Sequence, residues 1–223
     1  MRGYNIHANG IRQHLLHYKG NGQELLLIPG ITSPAITWGF VAERLAATYD
    51  VHVLDVRGRG LSEAGDLDYS LDAMADDAIA IAQTMNRPVV LGHSMGARIA
   101  IRAARKNPAP FAGLLLVDPP VSGPGRRAYP SQWPWYGNSI RMAQKGCSAE
   151  DMRKFCPTWT DEQIALRAEW LGSRLIEFHS QNKTVAASMI AEKKVSGQRS
   201  YRVATRRQSF RRPNMISMRL RRL

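Results

Sequence analysis

Apolar residues in the first half of the chain follow two rhythms. ELLLIPG (24–30) and PVVLG (88–92) are short continuous runs closed by turn residues. That pattern suits strands buried on both faces. IRQHLLHY (11–18), VHVLD (51–55) and FAGLLLVD (111–118) read as further strands. Between them the spacing changes to three or four. In TWGFVAERLAATY (37–49) it links Trp38, Val41, Leu45 and Thr48. SLDAMADDAIAIAQTM (70–85) has Ser70 to cap it and alanines to favour it, and MGARIAIRAARKN (95–107) continues the theme. Strands alternating with helices predict an α/β fold, a mostly parallel sheet with helices on both faces.

The rhythm breaks after Asp118. PPVSGPGRRAYPSQWPWYGNS is rich in Pro, Gly, Ser and aromatics and carries no strand pattern. Two capped helices follow. SAEDMRKF has Ser148 with Asp151 three residues on, and TDEQIALRAEWL has Thr160 with Gln163 three residues on. Residues 1–119 therefore read as the N-terminal part of the core. Residues 120–171 read as a helical lid region, because Trp133, Trp135, Tyr136 and Trp159 need an apolar surface to cover. A plain surface insertion is the alternative.

Charge separates a third region. The net charge is +13, yet residues 1–170 hold 18 Lys/Arg against 16 Asp/Glu, whereas residues 171–223 hold 13 against 2. Residues 172–223 thus read as an anomalous basic tail, out of frame or disordered, with few large apolar residues. A truncated sheet with an exposed edge is expected. Clustered arginines allow a non-enzymatic protein with a basic interaction tail, but no nucleic-acid motif and no aromatic interleaving accompany them. Nucleic acid is not an expected partner, and oligomeric state is not encoded legibly.

At 223 residues the chain can bury one sizeable core. It has no apolar run of membrane-spanning length and no secretory h-region at its start, which points to a cytoplasmic protein. Cys147 and Cys156 lack CxxC spacing and are expected to be free thiols.

GHSMG (92–96) lies between an apolar strand and a helix, the context of a nucleophile elbow. Ser94 is the candidate nucleophile, with Gly92 and Gly96 leaving room for the tight turn. The Met95 N–H can face a developing oxyanion. The second donor is expected at Ile31, in the IPGITS loop after the earlier strand. Chain order in this fold puts the acid after the nucleophile, which selects Asp118 at the end of LLLVD. Asp55 also ends a strand but precedes Ser94, so it is assigned to loop structure, paired with Arg57 or Arg59. Its rival reading for Asp118 is a carboxylate that only fixes the DPP turn.

The base is not identified. His7, His14, His17 and His52 precede the nucleophile, and His93 is expected to point away from the pocket. His179 alone follows Asp118, so it is the candidate by chain order only, in surroundings unlike a loop after a sheet strand.

These residues resemble the α/β-hydrolase superfamily. PGITSPAITWG, LDVRGRGLS, LGHSMGARIAIRAA, VDPPVSGPGRRAYPS and TWTDEQIALRAEWL are similar, more narrowly, to the N-formylmaleamate deformylases of bacterial nicotinate breakdown. The resemblance covers roughly residues 4–171. It implies an α/β-hydrolase fold with a helical lid, here C-terminally incomplete. It implies hydrolysis of N-formylmaleamate to maleamate and formate, with no metal and no organic cofactor. It implies Ser94 as nucleophile, Asp118 as acid, and the N–H groups of Ile31 and Met95 as oxyanion donors. It also implies a histidine in a glycine–histidine loop after the last strand, which has no counterpart here. The alternatives are another small-molecule ester or carbon–carbon bond hydrolase, an inactive truncated hydrolase, or the non-enzymatic protein with a basic interaction tail. Without a matching histidine the chain is expected to be a poor catalyst or none. A carboxylate substrate calls for a cationic or amide-lined pocket, for which Arg57, Arg126 and Arg127 are available.

Overall fold

The computed structural model describes residues 1–120, 146–173 and 215–218. The candidate base His179, and Arg126, Arg127, Trp133, Trp135 and Tyr136, lie outside the described residues. The chain divides into two units, residues 1–120 with 188–223, and residues 121–187.

The first unit is a sheet in the order β1-β2-β4-β3-β5-β6-β7. Its strands are β1 (Arg2–Ala8), β2 (Ile11–Tyr18), β3 (Glu24–Ile28), β4 (Asp50–Leu54), β5 (Val89–His93), β6 (Gly113–Val117) and β7 (Met215–Met218). The central β4, β3, β5 and β6 run parallel, and β1, β2 and β7 run antiparallel to their neighbours.

Two strands depart from the sequence pattern. β1 was not legible as a strand, because its residues alternate between exposed and half-buried with no apolar run. It turns into β2 through Asn9 and Gly10, both at positive φ (52° and 76°). Asn–Gly is the residue pair that a two-residue hairpin turn demands. β7 lies in the basic tail and pairs with β6 from Leu114↔Met218 to Val117↔Met215. The outer edge of β6 is therefore covered there, contrary to the expected open edge. Four residues, MISM, are too short a run to stand out among the surrounding arginines.

Strand periodicity sorts the core into two faces. Leu25, Leu27, Val51, Val53 and Leu91 pack with Ala35, Ala42, Trp38 and Leu45, on a 3₁₀ turn (Ala35–Trp38) and on α1 (Gly39–Leu45). The alternate residues, such as Leu26, Ile28 and Val90, are buried too. On that side α2 (Leu71–Gln83) and α3 (Met95–Lys106) pack together, and α3 packs on β3, β5 and β6. Ser70 caps α2, accepting from the Ala73 N–H at 3.1 Å. Arg102 of α3 grips Asp72 of α2 through two bonds of 2.8 Å.

The second unit shows α4 (Ala149–Phe155) and α5 (Asp161–Ser173). Ser148 and Asp151 form a reciprocal cap on α4. Thr160 and Gln163 do the same at α5, with bonds of 3.0 and 3.3 Å. Met152, Ile164 and Ala168 form a small core against Phe155 and the free thiols Cys147 and Cys156. Burial lowers the Arg167 guanidinium to a pKa of about 10. Trp159 is 40% exposed. Among the described residues, no helix is long and apolar enough to cross a membrane.

Candidate active site

Ser94 sits between β5 and α3 with φ 53° and ψ −112°. A non-glycine residue in that region costs of order 1–3 kcal/mol and needs surroundings that enforce it. The glycines on either side permit it. A Cβ on Gly96 would run into the carbonyl of Ile28, and one on Gly92 into that of Gly96. The strand–turn–helix crossing is thus closed to any larger residue at both positions.

The neighbouring strand ends converge on the same turn. The Ser94 N–H donates to the Val117 carbonyl at 2.9 Å, and His93 registers with Val117. Asp118 is therefore the residue that leaves β6 directly beside the elbow. It is exposed, with φ 46°, and no hydrogen bond to its carboxylate exists among the described residues. On the other side, a Cβ on Gly30 would come within 3.4 Å of the Ser94 Cβ. The loop carrying Ile31 hence passes against the serine. Met95 is the first residue of α3, where a helix has no internal acceptor for its N–H.

Sequence reasoning missed the part played by Arg59. It is 3% exposed. Its Nε donates to the Ile31 carbonyl at 3.0 Å, its Nη1 to the Arg57 carbonyl at 2.8 Å, and its Nη2 lies 3.6 Å from the Met95 sulfur. One guanidinium therefore touches both residues named as oxyanion donors. No sequence signal beyond its place in the loop after β4 could have distinguished it.

The other strand-ending acid is differently occupied. Asp55 accepts from the Ala35 N–H at 2.6 Å and the Leu61 N–H at 3.1 Å, and pairs with His14 Nδ1 at 2.8 Å. The expected pairing with Arg57 or Arg59 is corrected. Arg57 instead forms a bidentate pair with Asp77, both bonds 2.6 Å, and donates to the Asp68 carbonyl. Desolvation opposes both charges of that pair: it raises the Asp77 carboxyl, while Asp77 more than offsets it to raise Arg57. So committed, Arg57 is not available to a substrate carboxylate.

His93 is packed, as its position before the serine suggests. Its ring lies 5.1 Å from that of Trp38, and its buried Nδ1 has no hydrogen-bond partner. Burial lowers its pKa, against the opposing pull of the Asp118 charge. The His14–Asp55 pair looks like two thirds of a triad but is turned elsewhere. A Cβ on Gly3, in β1, would lie 2.9 Å from His14 Nε2.

The alpha/beta hydrolase family model matches residues 25–215. The N-formylmaleamate deformylase of Pseudomonas putida is 64% identical over 172 residues, 76% of this chain and 64% of that protein. A crystal structure of an N-formylmaleamic acid deformylase from Pseudomonas putida, solved as its S94A variant, superimposes with a TM-score of 0.77. It is 68% identical, over 84% of this chain and 73% of that one. The 2-(acetamidomethylene)succinate hydrolase of Mesorhizobium japonicum is 32% identical over 45% of this chain and 37% of its own. The chain thus spans less than two thirds of the length of these curated relatives.

Proposed function

The chain belongs to the alpha/beta hydrolase family, and on that premise we propose that it is a serine hydrolase that deformylates N-formylmaleamate, releasing formate and maleamate. The observation that carries the reading is Ser94 at φ 53°, between β5 and α3, with Gly30 packed against it and Asp118 leaving the adjacent strand. Its support from relatives is the N-formylmaleamate deformylase activity they are named for and the use of an S94A variant for crystallisation.

In this reading the Ser94 oxygen attacks the formyl carbon while a histidine takes its proton. Asp118 holds the tautomer of that histidine and stabilises the imidazolium. Its exposure, and the absence of a hydrogen bond to it among the described residues, suit it to accept such a bond. The Ile31 and Met95 N–H groups receive the oxyanion, and Arg59 keeps the two residues in place. The protonated base then donates to the leaving amide nitrogen, so maleamate departs and formyl-serine remains. Water, activated by the same base, attacks that ester and releases formate. His179, the one histidine after Asp118 in sequence, is the base to test first. Residues 120–171 are assigned the role of lid in the same proposal.

The test is formate release from N-formylmaleamate by purified protein of verified mass, beside a panel of small carboxylate esters and carbon–carbon cleavage substrates. Formate release well below the ordinary enzyme range of about 1–10³ s⁻¹ is the expected result, because the catalytic base is not identified. Turnover within that range gives the tail, and His179 first, a part in the chemistry. Turnover of an ester or diketone with no formate from the amide favours the alternative hydrolase. Loss of turnover in His179→Ala, restored by added imidazole, assigns the base; an unchanged rate removes His179 from the mechanism.

A further inference from the structure

We propose that His17, Asp50 and His52 form a binding site for one divalent transition metal ion of the zinc type, separate from the serine site. The three residues come together because β2 and β4 are antiparallel neighbours in which His17 registers directly with His52. Asp50 is the first residue of β4. One donor atom from each lies within 4.8 Å of the others.

The donor set fits the chemistry. Two imidazoles and one carboxylate suit zinc, which binds such sets with a water as fourth ligand. Both imidazole Nε2 atoms face the same carboxylate, at 2.7 Å for His17 and 3.6 Å for His52. His52 is 8% exposed, and its Nε2 is buried without a hydrogen-bond partner. A buried ring nitrogen in that state calls for a ligand. In a tetrahedral site, bonds of about 2.0–2.2 Å hold two ligand atoms roughly 3.3–3.6 Å apart. With all three donor atoms within 4.8 Å of one another, rotation of the side chains brings them to that spacing. His17 and Asp50 retain 24% and 23% exposure, which leaves an entry path.

The surroundings orient two of the three donors, as second partners do in metal sites. The Tyr4 hydroxyl meets His52 Nδ1 at 2.8 Å, leaving Nε2 as the coordinating atom once Nδ1 donates to the phenol oxygen. The Gly20 N–H donates to Asp50 Oδ1 at 3.0 Å. The His17 and His52 rings stack at 4.3 Å with 5° between planes. β4 runs parallel to β3 and β5, and Ser94 follows the carboxyl end of β5. Asp50 opens β4 at the amino end, so the cluster lies about 13 Å along the strand from the reactive edge, at about 3.3 Å per residue. The ion therefore lies apart from the serine chemistry, and its binding is read without any activity assay.

Untagged full-length protein is titrated calorimetrically with Zn²⁺ alone, and Co²⁺ is added separately for its visible absorption. One equivalent of zinc, a Co²⁺ spectrum of four- or five-coordinate type, and a rise in Tm with zinc are expected. His17→Asn and His52→Asn, each checked for native circular dichroism, lose more than the roughly 10–100-fold in affinity that a lost supporting partner costs. Tyr4→Phe falls within that 10–100-fold range, and His7→Asn is unchanged. Should His52→Asn fail to fold, the half-exposed His17 variant decides. No zinc uptake, uptake equal in His17→Asn, or uptake abolished by the Cys147→Ser/Cys156→Ser pair overturns the proposal.

Discussion

Two aspartates follow parallel strands of the same sheet that have two others between them, and their circumstances are opposite. Asp55, after β4, is 3% exposed and takes bonds from the Ala35 and Leu61 N–H groups and from His14. Its own carbonyl also accepts from the Ser62 hydroxyl at 2.5 Å. Asp118, after β6, is exposed at φ 46° beside an equally strained serine. The fold uses up the first carboxylate, whereas among the described residues nothing hydrogen-bonds to the second. A carboxylate that must orient a catalytic base needs that freedom, whereas one that ties a loop to a sheet needs the reverse. Burial and partners, more than the residue type or its place at a strand end, tell the two apart.

The largest expected effect breaks the comparison at its reactive side. Ser94→Ala should remove formate release almost wholly, about 10⁶-fold where a nucleophile of a triad has been deleted, with no change in the thermal transition. Asp118→Asn should follow at about 10⁴-fold in kcat, again with the fold intact. Near-wild-type kcat would place the acid on another element.

At the structural side the sign of the result reverses. Asp55→Ala strands the buried Ala35 N–H, the partly buried Leu61 N–H and His14, and should cost about 3–5 kcal/mol of stability, the range for breaking a buried pair. Chemical denaturation reads it directly. A variant that keeps its stability but loses kcat would move Asp55 into the chemistry. Arg59→Ala sharpens the picture between the two. It should lower kcat by more than it raises KM, because it frees the Ile31 carbonyl without removing a substrate contact. Equal loss in a binding assay would make Arg59 a plain core residue.

The smallest effect concerns His93. Its folded pKa lies below the ordinary 6.5 because the ring is buried, so the folded state resists the proton that the unfolded chain accepts. Stability contributed by the neutral ring is full above pH 6.5 and falls as the pH drops below it. In His93→Gln the slope of stability against pH just below 6.5 should be shallower than in the wild type, and an identical slope would mean that His93 does not titrate with folding.

How much of this was legible in the sequence differs by element. β3 and β5 were plain because both faces are buried, which leaves no polar position to blur the run. α2, α4 and α5 were legible at their starts because Ser70, Ser148 and Thr160 act locally, within three residues of their acceptors' partners. The Asn9–Gly10 turn was equally local and could have disclosed β1. The elbow was readable because glycine spacing reports steric closeness to the chain itself. What escaped were pairings across long separations. His14 meets Asp55 across 41 residues and Arg59 meets Ile31 across 28. Nothing in either segment states its partner, so Asp55 was matched with the arginines nearest in sequence. The register that sets His17 beside His52 is likewise a property of the sheet.

The central claim is that Ser94 is a reactive nucleophile served by Asp118. Incubation of the full chain with a fluorophosphonate, followed by peptide mass spectrometry, tests it most directly. The account predicts a single adduct at Ser94, formed far more slowly in Asp118→Asn and at the wild-type rate in any Asp55 variant that retains its fold. An adduct at another serine, or labelling of Ser94 that is indifferent to Asp118 and lost with Asp55, would contradict it.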